Sequence, residues 1–289
     1  MSGPGGPSEA RVEVYPDPDA VSAAAAERIA MALATGIEAR DRADWATTGG
    51  STPVGIYRIL GSPPLRDRVG WDRVHVWWGD DRFVPRDHPQ SNVLALDQVL
   101  VHQAARAGLS GTGEDGIGDH AGFPPGAPIP APNIHAMPMT AAIGEGRDVD
   151  WVAARYQEEL RAAPIPADEG AFPAFDVVLV GVGADGHVLS VFPGSTVFEP
   201  GAWVAGVPAP THIEPHLARV SLNPAFLTAA RLVLVVAHGT EKASVLAEAL
   251  RTERDPARWP IQHARASNAV WLLDAAAAAD LPPELRRPA

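Results

Sequence analysis

Cysteine is absent from this 289-residue chain, so disulfides, thiol nucleophiles and Cys-bearing zinc sites are excluded together. Lysine is nearly absent: of 23 basic residues one, Lys242, is a lysine and the other 22 are arginines. A GC-rich coding sequence gives such a skew, and it makes the single lysine worth explaining. Positive charge is short overall. Acidic residues number 35 against 23 basic ones, for a formal charge of −12, which does not suit sequence-independent binding to a phosphate backbone. Any anionic ligand must then be held by a local positive site. No apolar run approaches the ~20 residues that a membrane span needs. The Gly/Pro/Ser-rich opening has neither the basic start nor the apolar stretch of a signal peptide. These absences lead us to expect a soluble cytoplasmic protein with no nucleic-acid or membrane partner.

What is present is ordinary for a globular protein, with 46% hydrophobic and 20% charged residues. The length suits one large or two modest domains. Residues 1–10 read as a disordered tail. After them, strand-like and helical segments alternate. Val12–Tyr15 reads as a strand and Asp19–Arg40 as a long helix. Ala46–Gly49 ends a second strand, followed by a glycine turn and a helix from Pro53 to Leu60. Val74–Gly79 is a strand, and Ser91–Ala107 a helix with Ser91 as candidate N-cap. Asp150–Arg161 is helical. Phe175–Val182, an apolar run ending in glycines, has the pattern of a strand buried on both faces; Leu232–Ala237 is another such run, and a helix runs from Thr240 to Arg251. Ala269–Leu273 reads as the last strand and Ala275–Asp280 as a short helix. The alternation predicts an α/β fold with a mostly parallel sheet and helices on both faces. Gly108–Pro132 is expected as a long Gly/Pro-rich surface loop, and Pro200–Pro215 as a border of the site. With no internal repeat, one domain is expected over 11–282, with 283–289 as a tail.

Five motifs carry possible chemistry. In Thr47-Thr48-Gly49-Gly50-Ser51-Thr52-Pro53, glycines at a strand-to-helix turn let the backbone approach an anion. Ser51, Thr52 and the helix N-terminal N–H groups can bind phosphate oxygens; a well-capped helix start reads the same way. In Trp77-Trp78-Gly79-Asp80-Asp81-Arg82, Arg82 can stabilise developing negative charge while Asp80 or Asp81 holds it, the alternative being a structural ion pair. The third motif is Gly181-Val182-Gly183-Ala184-Asp185-Gly186-His187 at the end of a buried strand. His187 suits general-base work near neutral pH, and Asp185 can fix its tautomer or orient a water. Arg219 lies on a strand-like alternation. Lys242 stands in the first turn of a helix, where a cation opposes the helix dipole unless an anion meets it there.

In this order the motifs resemble the 6-phosphogluconolactonase family, whose fold is shared with glucosamine-6-phosphate deaminase and ribose-5-phosphate isomerase. The resemblance runs from about Val12 to Asp280 and rests on several blocks. They are the Gly-Gly-Ser-Thr-Pro turn, the stretch from Trp78 through Asp80, Arg82, Val84 and Pro85 to Ser91 and Asn92, and the G-x-G-x-D-G-H block with Phe192-Pro193-Gly194. The Arg219 strand and the Gly239-to-Lys242 turn complete them. It implies a Rossmann-like, single-domain fold of the deaminase/isomerase type. The implied reaction is hydrolysis of 6-phosphoglucono-1,5-lactone to 6-phosphogluconate, the second step of the oxidative pentose phosphate pathway. His187 is then the base that activates water, Arg82 faces the oxyanion, and Gly49, Gly50, Ser51, Thr52, Arg219 and Lys242 take the phosphate, with Asp80 and Asp185 beside them. The resemblance further implies no metal and no cofactor, and a monomer or weak homodimer acting on a phosphorylated sugar lactone. Family members commonly carry Glu before the arginine and Thr-Ala after Asp-Gly-His, where this chain has Asp81 and Val188-Leu189. The deaminase places a ring-opening Glu where this chain has Phe192. A non-catalytic sugar-phosphate sensor is the remaining alternative.

Overall fold

In the main sheet, three strands in which every residue is buried set the architecture: β2 (Ala43–Thr47), β6 (Val177–Val180) and β9 (Val233–Ala237). A strand with consecutive residues buried must be covered on both faces, the pattern of a central parallel strand. The computed structural model, which describes residues 11–101, 126–167 and 171–288, makes these three strands neighbours. Around them lie β1 (Arg11–Tyr15), β3 (Val74–Trp78), β5 (Ile134–His135), β10 (Ala269–Asp274) and β11 (Arg287–Pro288). The sheet has eight strands in the order β11-β1-β10-β9-β6-β2-β3-β5, and every pairing is parallel. The helices are α1 (Pro18–Arg40), α2 (Thr52–Leu60), α3 (Leu65–Arg68), α4 (Asn92–Val99), α5 (Met139–Gly144), α6 (Val149–Ala162), α7 (Ala225–Ala229) and α8 (Ala243–Arg251). This is the α/β fold expected. Trp45, Trp77, Trp78 and Trp271 are fully buried and fill much of the core.

At 23 residues α1 is long and apolar enough, by length and composition, to cross a membrane, contrary to the expectation that no segment would be. Its apolar character has another use here. Val21, Ala25, Ile29 and Leu33 are fully buried, and the helix packs on β1, β2, β6, β9 and β10. Its polar residues tie it down: Arg28 pairs with Glu13 of β1 at 2.5 Å, and Glu27 with Arg68 at 2.7 Å. Asp17 caps its first turn by accepting from the Ala20 N–H.

Several boundaries differ from expectation. Helix α4 ends at Val99, and 102–107 of the expected Ser91–Ala107 helix lie outside the described residues, as do 108–125 of the expected loop. The end of that loop is no surface feature, because Ala127 and Ile129 are fully buried. Ala275–Asp280 forms turns instead of a helix. The Asp274 carboxylate accepts from the Ala277 N–H at 2.7 Å and the Gly239 N–H at 3.1 Å, and Pro282 and Pro283 stop the chain from continuing helically. Ala269–Leu273 is not the last strand, since β11 pairs with β1 and draws the expected 283–289 tail into the sheet.

A second sheet decides where the site lies. Just after β3, Gly79 turns the chain out of the parallel sheet into β4 (Asp80–Arg82), which pairs antiparallel with β8 (Arg219–Leu222); β8 pairs in turn with β7 (Val204–Val207). A Cβ on Gly79 would come within 2.6 Å of the end of the Leu189 side chain, so a larger residue at this exit would have to push that leucine aside.

Candidate active site

In a parallel sheet every strand delivers its C-terminal end to the same edge, where ligands collect. The neighbours β9, β6 and β2 leave that edge through polar, glycine-containing loops, and β4 begins beside them. The β2 exit has Gly50 at φ +85°, and a Cβ on Gly49 would overlap the Asn92 side chain. Ser51 takes the N-cap position of α2 but makes no capping bond, so its hydroxyl is not committed to the helix.

The β6 exit builds a histidine dyad. Asp185 Oδ1 lies 2.6 Å from His187 Nδ1 and accepts from the His187 backbone N–H at 3.1 Å. A carboxylate only accepts, so Nδ1 carries the proton and Nε2 is left as the basic nitrogen. Asp185 Oδ2 is engaged by His212 Nε2 at 2.8 Å. Burial by itself would raise the Asp185 carboxyl, but the hydrogen bonds and attraction from His187 and His212 outweigh it and hold the group well below the usual carboxylate range. Glycine is obligatory behind the dyad, since a Cβ on Gly183 would overlap the His187 ring. Phe192 packs on His187 with ring centroids 4.8 Å apart and on His212 at 5.6 Å.

The β4 segment is held by a buried polar net. Asn92 donates to the Asp80 carbonyl at 2.7 Å and accepts from Arg82 Nη1 at 2.7 Å, and Arg82 Nη1 also donates to the Gln90 carbonyl at 3.0 Å. Ser190 donates to Asp80 Oδ2 at 2.5 Å. Asp81 points the other way and accepts from the Arg82 N–H at 2.8 Å, the Asn92 N–H at 2.7 Å and the Ser91 hydroxyl at 3.2 Å. It pins the loop, and Asn92 positions Arg82.

Burial pushes the Asp81 carboxyl up to about 7 against the pull of the Asn92 and Arg82 N–H groups. Because that exceeds its ordinary value of 3.8, the folded protein keeps a proton that the unfolded chain releases between the two values. Asp81 therefore draws stability down as the pH rises from about 4 to about 7. Asp81→Asn is expected to flatten that decline in urea midpoints measured across this range. A variant that loses stability with pH as the native chain does would remove Asp81 as its source.

These loops enclose one cavity of about 330 Å³, which Gly49, Gly50, Ser51, Thr52, Asp80, Arg82, His187, Arg219 and Lys242 all line. Asp185 stands behind His187 instead of facing the cavity. Lys242 ends a single 3-10 turn, Thr240–Lys242, and occupies the N-cap position of α8. Sequence reasoning missed His212, Ser190, His238 and Glu241; of these His238 and Glu241 line the cavity. The Pro200–Pro215 stretch does border the site, through Ile213 on its wall and His212 on Asp185. Among the described residues no group of three or more His, Asp or Glu side chains is placed to hold a metal ion.

Residues 16–272 match the family described as glucosamine-6-phosphate isomerases/6-phosphogluconolactonase. The chain belongs to this family. Within it, the 6-phosphogluconolactonase of Streptomyces coelicolor is 35% identical over 282 residues, covering 96% of each chain. That of Mycobacterium tuberculosis is 33% identical, covering 94% of this chain and 98% of its own. Among solved structures, the 6-phosphogluconolactonase of Trypanosoma brucei superposes with a TM-score of 0.75 at 26% identity, over 95% of this chain and 99% of that one. A monomeric glucosamine-6-phosphate deaminase superposes at 0.68 with 16% identity, a likeness of fold alone.

Proposed function

We propose that this family member hydrolyses 6-phosphoglucono-1,5-lactone to 6-phosphogluconate. The observation that carries the reading is the meeting, in one cavity, of an Asp185-oriented His187 and the Asn92-held Arg82. His187 Nε2 takes a proton from water as the water oxygen attacks C1 of the lactone. The negative charge on the former carbonyl oxygen is faced by Arg82. Collapse of the tetrahedral intermediate breaks the bond from C1 to the ring oxygen, and the His187 imidazolium returns its proton to that oxygen. Asp185 keeps Nδ1 protonated throughout and stabilises the imidazolium. Gly49, Gly50, Ser51, Thr52 and Lys242 take the phosphate, with Arg219 and Asp80 as further substrate contacts. A cytoplasmic location, with a phosphorylated sugar lactone as partner, goes with this reading.

Phe192 counts against the deaminase alternative, because its ring stands against His187 where a ring-opening carboxylate is needed. The direct test is consumption of freshly made lactone faster than its spontaneous hydrolysis. Binding without turnover would favour a sensor.

Lys242 gives a sharper test of the phosphate assignment. A compact ammonium reaches a phosphate oxygen as a point charge, whereas the planar guanidinium needs a wider approach. Lys242→Arg is expected to weaken affinity for the phosphorylated lactone by about tenfold, the low end of one hydrogen bond to a charged group. The unphosphorylated lactone should be unaffected. Unchanged kinetics on the phosphorylated substrate would leave Lys242 an ordinary solvated residue.

A further inference from the structure

Asp185 serves two histidines at once. Its Oδ1 is taken by His187, through the ring Nδ1 at 2.6 Å and the backbone N–H at 3.1 Å, and its Oδ2 by His212 Nε2 at 2.8 Å. A carboxylate only accepts, so both rings donate, and neutral His212 carries its proton on Nε2. The two imidazoles are placed differently. His187 lines the cavity; His212 does not, and half of its side chain is exposed. Phe192 touches both rings, at 4.8 Å from His187 and edge-to-face with His212 at 5.6 Å. His212 is brought here by residues 208–218, the connection from β7 to β8. That loop is closed on itself by a bond from His216 Nδ1 to the Pro210 carbonyl at 2.7 Å, and tied to β8 by the Pro215 carbonyl, which accepts from Arg219 Nη2 at 3.3 Å. The second imidazole therefore arrives on a held backbone.

A general base works only in its unprotonated form, and the carboxylate behind it pulls both ways. Asp185 holds His187 in one tautomer and stabilises the imidazolium once water has given up its proton. A carboxylate left entirely to His187 would also favour that imidazolium before any substrate arrived, and a ring already protonated accepts nothing. A second donor on the same carboxylate draws off part of its charge. It also fixes the carboxylate plane, because with one histidine on each oxygen the group cannot turn without breaking a bond. Burial would raise the Asp185 carboxyl, and the hydrogen bonds from His187 and then from His212 lower it, so the second imidazole carries a share of the interaction. The other charged groups around His212 are Arg219 of β8, which lies over the Phe192 ring, and Glu214 and His216 of its own loop, which pair with each other at 3.1 Å. Among the described residues Asp185 is the one acid bonded to His212.

We propose that His212 is a positioning residue for the general base: it holds the Asp185 carboxylate in place against His187 and takes part of its charge, so that His187 is free to accept a proton where Asp185 alone would leave it already protonated. The inference rests on the lactone reading above and adds to it a residue outside the cavity. When water attacks C1, its proton goes to His187 Nε2 and no further, and His212 keeps its own proton throughout. In acid a second proton makes His212 a cation beside Asp185, which loosens the hold of that carboxylate on the His187 imidazolium further. The two rings therefore titrate as a coupled pair.

The test follows the His187 ring by NMR titration in protein carrying isotope-labelled histidine, its signal assigned by its loss in His187→Asn, so the result does not depend on turnover. Position 212 is half exposed, and His212→Ala empties no core. In that variant the titration midpoint of His187 is expected to rise by at least about half a unit, because Asp185 then acts on one imidazole alone. Turnover should fall by about tenfold, the low end of one hydrogen bond to a charged group, with KM nearly native because His212 does not line the cavity. His212→Gln keeps a neutral N–H at the reach of Nε2 and is expected to restore kcat to within about threefold of native. An unmoved or lowered midpoint in His212→Ala would overturn the proposal; accompanied by a raised KM, it would make His212 an anchor of the loop that carries Ile213 and nothing more. Failure of the native chain to consume fresh lactone would instead overturn the hydrolase reading, and the midpoint would still decide whether His212 acts on His187.

Discussion

His187→Asn is expected to lower turnover of fresh 6-phosphogluconolactone by about 10²–10⁴-fold, the usual contribution of a positioned general base. Asparagine keeps a polar atom near the position of Nδ1, facing Asp185, but lacks the far half of the ring and offers no basic nitrogen. The affinity for 6-phosphogluconate should be nearly native, because the product needs no proton removed. The tautomer argument makes the expectation specific. With Asp185 accepting from Nδ1, the lone pair available to a base is on Nε2, and His212 is bound to the same carboxylate on its outer side. A variant with near-native kcat would take His187 out of the mechanism.

Arg82→Ala is the second large effect. Its guanidinium is fixed in advance by the Gln90 carbonyl and the Asn92 side chain, so it requires no reorganisation when charge appears on the substrate. Groups aimed in this way at a developing oxyanion contribute about 10²–10³ in kcat. The neutral lactone carbonyl gains little from the same cation, so kcat should fall further than KM rises. Asn92 acts through Arg82. A rise in KM with kcat unchanged would mark Arg82 as a ground-state contact and reassign its role.

Much of this site was legible before any coordinates, and for a definite reason. Strand exits in a parallel sheet are written locally, as an apolar run followed by glycines and a few polar residues. Thr47 to Pro53, Gly181 to His187 and Gly239 to Lys242 each carry that signature, and each lines the cavity or stands directly behind it. The pairing of β4 with β8 carries no such signature. It joins residues 80–82 to 219–222; the alternation around Arg219 reads as a strand, but nothing local names its partner, and three residues of β4 are too short for a period to register. β7, four residues with Gly206 among them, went unread within the Pro/Gly stretch around it. His212 comes from a loop that says nothing of where it folds back, so its bond to Asp185 is visible only in three dimensions. The Ala-rich stretch after β10 misled because alanine signals helix wherever it clusters, while the competing carboxylate of Asp274 acts on the backbone N–H groups of Ala277 and Gly239.

The scarcity of lysine has a practical side. Lys242 is the only side-chain amine in the chain, and it opens into the ligand cavity. Amine-directed chemistry, whether an activated ester for attaching a dye or an aldehyde support for immobilising the protein, therefore has one side-chain target, and that target is in the site. A protein with lysines spread over its surface dilutes such reagents among harmless positions. This chain concentrates them in its ligand cavity, at the position we assign to the phosphate, where 6-phosphogluconate is expected to act as a protecting group during labelling.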